Sequence, residues 1–162
     1  MAEYTLAEMK AILHSTQPAL LAALEAADNH TLYHRPTADA WTLAEVLVHL
    51  AEAREFFAAE TEKVLATPGV AMGRTMAHPG RLQNVAENGR NPPELIHEKL
   101  SRSHARVMAL LEGMTDSQLP LTGEHVKFGT QTLGYFIGHF IVEHDQAHLQ
   151  EAQALIGGEA GS

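Results

Sequence analysis

Residues 130–156 read TQTLGYFIGHFIVEHDQAHLQEAQALI, and the spacing within this stretch decides the fold. Apolar residues and two histidines recur every three or four positions, through Leu133, Ile137, Phe140, His144, His148, Ala152 and Leu155. That is the period of one face of an α-helix, so the stretch predicts a helix from about Thr130 to Ile156. Two imidazoles stand on its apolar face where leucines would ordinarily go.

Three other stretches share the period. The first runs from about Thr5 to Ala27 through Leu6, Met9, Ile12, Leu13, Leu20, Leu21 and Leu24. Pro18 argues against one straight helix there, because a proline loses a hydrogen bond and clashes with the preceding turn; it is suited to opening a second segment. The second helix starts at a capping box, Thr42 with Glu45 three residues on, and continues through Leu43, Val46, Leu47, Leu50, Ala53, Phe57 and Val64. The third opens at Pro92-Pro93, follows Leu95, Leu100, Val107, Leu110 and Leu111, and stops at Gly113.

Between these, Asn29 to Ala40 reads as a connection and Met114 to Gly129 as irregular. Thr67 to Pro93, rich in Gly, Pro, Asn and Arg, reads as a long irregular crossover able to hang over a site as a lid. No stretch alternates as a strand would. The expectation is an all-α four-helix bundle with a long crossover between helices 2 and 3, a single domain over 1–156 and a flexible tail over 157–162.

Composition narrows the chemistry. A chain of 162 residues is one domain long. It has no cysteine, which excludes disulfides, thiolate metal sites and a cysteine nucleophile, and leaves nitrogen and oxygen to hold any metal. A net charge of -9 without a Lys/Arg cluster argues against nucleic acid as a partner. The opening MAEYTLAEMK lacks a basic stretch followed by an apolar run, and no apolar run reaches membrane-spanning length, so the expected location is cytoplasmic, with no membrane partner.

His144 and His148 are the sharpest chemical signal. Residues four apart on a helix are rotated by about 40°, with Cβ atoms roughly 5–6 Å apart, so two ring nitrogens can converge on one ion. His49, on the edge of the second helix's stripe, can complete a triad. Eleven histidines in 162 residues produce roughly 0.7 such i,i+4 pairs by chance, so spacing alone is weak. What separates this pair from His30 and His34, which fall in the connection before Pro36, is its apolar face, where a buried imidazole needs partners for both nitrogens.

Other readings fail on spacing. His139 and His144 are five apart, about 140° around a helix, and cannot share an ion; His139 reads as a surface or interface residue. A di-iron bundle needs two Glu-x-x-His motifs, and only Glu94 to His97 fits. Asp145 points about 100° from His144 on a regular helix, toward a solvated face or a bond to another histidine.

The run Arg35-Pro36, then Trp41 to Leu47 into His49-Leu50, followed late in the chain by His144-Asp145-Gln146-Ala147-His148-Leu149, resembles the DinB/YfiT-like superfamily. The resemblance implies a four-helix bundle with a long crossover, binding a divalent metal through His49, His144 and His148. It also implies a range of activities: metal-dependent hydrolysis, thiol-dependent S-transfer using bacillithiol or mycothiol, and maleylpyruvate isomerisation.

Three imidazoles on one ion leave positions for water or substrate, as a catalytic site requires. The ion stays open among Zn, Ni, Fe and Mn. The same ligands serve hydrolysis of a small-molecule substrate or transfer of a low-molecular-weight thiol. Glu45, one turn before His49, is the nearest candidate general base by spacing, although its capping position already accounts for it. His78, Arg81, Met72 and Met76 in the crossover are placed to line a pocket mouth, and Trp41 reads as a packing anchor. The competing expectation is a non-catalytic bundle that binds metal or a small ligand as a sensor or stress protein; a homodimer is expected in either case.

Overall fold

The structure, a computed structural model, describes the backbone of residues 3–161 and the side-chain surroundings of residues 3–158. Four long helical rods form the bundle: α1 (Leu6–Ala26), α3 (Leu43–Ala66), α5 (Pro93–Glu112), and a last rod made of α6 (Leu133–Ile137), a π-helical segment (Gly138–Glu143) and α7 (His144–Gly161). Two short helices join them, α2 (Asn29–Tyr33) and α4 (Pro79–Asn88). No described helix is long and apolar enough to cross a membrane.

The ends of the rods follow from local chemistry. Thr5 and Thr42 cap α1 and α3 in reciprocal capping boxes with Glu8 and Glu45. Pro93 opens α5 and Gly113 closes it. Pro18 does not divide α1 as expected: the helix continues through it, held by the burial of Leu13 before and Leu20 after, while the Thr16 hydroxyl donates to the Leu13 carbonyl. The connection after α1 also gains a turn of helix, since Asp28 accepts from the Thr31 amide and starts α2.

The two segments expected to be irregular carry a small sheet. Strand β1 (Ala71–Met72) pairs in parallel with β2 (Thr122–His125), which pairs antiparallel with β3 (Gly129–Thr132), in register Met72 with His125 and His125 with Gly129. Gly129 takes φ +76°, the left-handed conformation that closes the hairpin. The crossover between α3 and α5 is therefore pinned to the bundle by β1 and ordered further by α4. Of the tail expected over 157–162, Gly157 and Gly158 continue α7, and the side chains beyond lie outside the described residues.

The core has two apolar clusters. One gathers Met9, Leu13, Phe57, Val107, Leu111 and Phe136; the other gathers Leu20, Leu47, Leu50, Ile96, Leu100 and Ala152. Between them Gln17, Arg54, Ser103 and Asp145, one from each rod, are buried as a polar layer.

Candidate metal centre

His49 comes from the buried face of α3, while His144 and His148 come from the first two turns of α7, just past the π segment. One nitrogen of each ring lies within 4.8 Å of the others, making this the only such cluster of His, Asp or Glu groups found among the described residues. Nε2 of His144 and Nε2 of His148 face each other at 3.0 Å. That separation matches two ligands bonded at about 2.0–2.1 Å to a shared ion at roughly a right angle.

Three features fit the rings to a metal. Nδ1 of His49 is buried and has no hydrogen-bond partner, a costly state for a ring nitrogen that has no other use. The Glu151 carboxylate lies 2.9 Å from Nδ1 of His148, which fixes a proton there and leaves Nε2 unprotonated, facing His144. Burial pushes His49 down to about 3, with the charges of His148, Arg81 and Arg74 adding to it; burial first, then His148 and His49, holds His144 well below the ordinary imidazole value. Both rings are thus neutral at neutral pH, the form a metal requires.

The triad opens on a cavity of about 590 Å³. Its walls come from α3 (Phe57), the crossover (Arg74, Met76, Arg81), the hairpin (Lys127, Phe128) and the last rod (His139, Phe140, Glu143). The crossover therefore does line the site, through Arg81 and Met76 as expected. Met72 is instead buried in the core, and His78 caps α4 by accepting from the Gly80 amide. Trp41 packs edge-on against His49, ring centres 5.0 Å apart.

Glu45 does not reach this cavity. Its carboxylate accepts from the Thr42 amide and from Arg35, and it lines a separate cleft with those residues. Burial would raise its pKa, but the bonds from Arg35 and Thr42 outweigh that and lower it. A carboxylate so engaged is a poor proton acceptor, so the general-base expectation is withdrawn from Glu45. The cavity offers another pair: Nδ1 of His139 lies 3.2 Å from Glu143, whose other oxygen accepts from the Tyr4 hydroxyl at 3.0 Å.

Asp145 also departs from expectation. It is fully buried against Arg54 rather than solvated. The π segment inserts extra backbone per turn, so the phase carried down from Leu133 shifts before Asp145 and turns it inward. Arg54 carried a readable signal, an arginine four residues after Leu50 and three before Phe57 on the buried face of α3.

Residues 12–152 match the family model of the DinB superfamily, and the chain belongs to that family. No curated protein matches it. Among solved structures, YfiT from Bacillus subtilis, described as a probable metal-dependent hydrolase with an unusual four-helix bundle topology, is 21% identical with a TM-score of 0.75, covering 97% of this chain and 90% of its own. A mycothiol-dependent maleylpyruvate isomerase is 11% identical with a TM-score of 0.76, covering 92% of this chain, which spans only 61% of that enzyme. The colibactin self-resistance protein ClbS, solved with a double-stranded DNA, is 16% identical with a TM-score of 0.72, covering 93% of this chain and 94% of its own. At these identities the likeness concerns the fold.

Proposed function

We propose that this chain is a metal-dependent enzyme of a small-molecule substrate, with a divalent ion held by His49, His144 and His148 and hydrolysis as its reaction. The observation that carries the reading is the convergence of three ring nitrogens within 4.8 Å on the wall of a 590 Å³ cavity. A divalent ion on neutral imidazoles keeps open positions and activates a water or thiol as nucleophile. His139, held by Glu143, is the cavity side chain suited to accepting a proton. Phe57, Phe128 and Phe140 make the walls apolar and limit competing water.

YfiT's description as a probable metal-dependent hydrolase supports this reading. The mycothiol-dependent isomerase favours a second one, in which the same three histidines serve a reaction that uses a low-molecular-weight thiol. ClbS was solved with DNA, but here the net charge of -9 favours a small molecule over nucleic acid.

Metal analysis of protein purified without chelator is the first test. A stoichiometric divalent ion that is lost in His148→Ala is expected; wild-type protein without one overturns the reading. Fully loaded protein is then assayed on ester, amide and electrophile panels with and without added thiol. Turnover without thiol supports hydrolysis, and turnover only with thiol assigns transfer. No turnover at full occupancy overturns the enzyme reading in favour of a metal-binding bundle.

A further inference from the structure

The cavity is cationic in a chain that is strongly acidic. The sequence holds 11 Lys and Arg against 20 Asp and Glu, yet Arg74, Arg81 and Lys127 line this cavity against one carboxylate, Glu143. Two of these charges are already met. Arg74 is buried and paired with both oxygens of Glu52, at 2.8 and 2.6 Å, with its guanidinium 4.2 Å above Phe56. Glu143 is taken by Tyr4 and His139.

Arg81 is different. It sits in the first turn of α4, half-buried, with its guanidinium 5.0 Å from the Trp41 ring centre. Of the five N–H donors an arginine offers, one goes to the Met76 carbonyl at 3.1 Å, and no carboxylate pairs with it among the described residues. Burial, then the charge of Arg74, holds its pKa below the ordinary value, and Glu52, whose oxygens are taken by Arg74, offsets them only in part. Its charge also bears on His49, so it stands near the triad. Lys127, exposed on the hairpin, likewise has no carboxylate partner among the described residues.

We infer that Arg81 is an anion-binding group of this cavity, and that the molecule bound there carries a carboxylate or phosphate which Arg81 grips while Lys127 attracts it from the mouth. The planar fork of a guanidinium fits either oxyanion with two parallel bonds. That the other end of the molecule faces the histidines rests on the proposed function; the anion site itself requires no ion. A cavity of about 590 Å³ suits a compact molecule of this kind.

Trp41 is the sole tryptophan, and Arg81 lies over it, so occupancy of Arg81 is readable in its emission. Metal-free and metal-loaded protein are titrated with glutarate, inorganic phosphate and the uncharged glutaramide, with calorimetry as a second readout. A saturable response to an anion and none to glutaramide is expected, with affinity falling about tenfold or more in Arg81→Gln through loss of a charge-assisted pair. The exposed Lys127→Gln should weaken binding by a smaller factor. Tighter glutarate binding assigns a carboxylate, and tighter phosphate binding a phosphate.

Equal affinity in Arg81→Gln, or equal response to glutaramide, overturns the proposal. If Arg81→Gln loses its fold, the wild-type comparison of glutarate with glutaramide decides. Protein that binds no metal but binds anions through Arg81 refutes the proposed function and leaves the anion site standing. Protein that loads metal and ignores anions does the reverse.

Discussion

Arg54 and Asp145 meet as a bidentate ion pair inside the bundle, Nε to Oδ1 at 3.1 Å and Nη2 to Oδ2 at 2.8 Å, with both residues almost wholly inaccessible. The other guanidinium N–H groups donate to Gln17, the Leu100 carbonyl and Ser103. Every donor is satisfied, and all four rods are tied at one level. Because Asp145 follows His144 directly, this layer also fixes the rotation of the rod that carries two of the three histidines.

Asp145→Ala should therefore destabilise the protein by about 3–5 kcal/mol, since it strands a buried guanidinium. Arg54→Met with Asp145→Leu together should cost less than Asp145→Ala alone, because no buried charge then lacks a partner. Denaturant unfolding of the three proteins checks both. A loss below about 1 kcal/mol for Asp145→Ala would mean that the pair is hydrated rather than buried.

Stability of the metal-free protein should fall as pH is lowered from about 6.5. His49 has a folded pKa of about 3 against an ordinary 6.5, so between these values the unfolded chain takes a proton that the folded chain refuses. The folded state then loses about 1.4 kcal/mol per pH unit for each such group, and above 6.5 the term vanishes. His144, also held low, acts in the same direction. Denaturation midpoints from pH 7 to pH 4 should show the slope, and His49→Leu should reduce it. Equal slopes in the two proteins would refute the assignment.

How far the chain could be read depended on the length of each signal. The starts of α3 and α5 were legible because Thr42, Glu45 and Pro93 act within one turn. His49, His144 and His148 stood out on apolar stripes. The sheet was hidden, since Ala71–Met72 and Thr122–His125 are too short to show alternation. Asp145 was misplaced because an ideal helical wheel has no π segment in it, and nothing in Gly138 to Glu143 announces one locally. Arg81 and Lys127 reach the cavity through tertiary folding of loops, which no periodicity reports.

Gly73 supports the cavity wall from behind. It has φ +82°, and a Cβ there would run into the His125 imidazole, which stacks on Phe140 at 5.1 Å. Gly73→Ala should cost of order 1–3 kcal/mol from backbone strain alone, and more from the overlap. It should also displace the adjacent Arg74 from Glu52. A thermal melt measures the first effect, and a melt indistinguishable from wild type would contradict the tight packing of β1 on β2.

Glu151 provides a test of the metal centre that leaves its ligands in place. Its carboxylate is exposed, so Glu151→Gln should leave folding stability almost unchanged. Yet it is the partner of Nδ1 on His148, and a carboxylate there both orients the ring and makes Nε2 a better donor to an ion. Removing the charge should weaken metal binding by about 10–100-fold. Competition with a chromophoric chelator reads the affinity, with Glu25→Gln, on the exposed side of α1, as the control. If both variants bind metal as the wild type does, His148 takes its orientation from packing alone, and the Glu151 contact is only a surface ion pair.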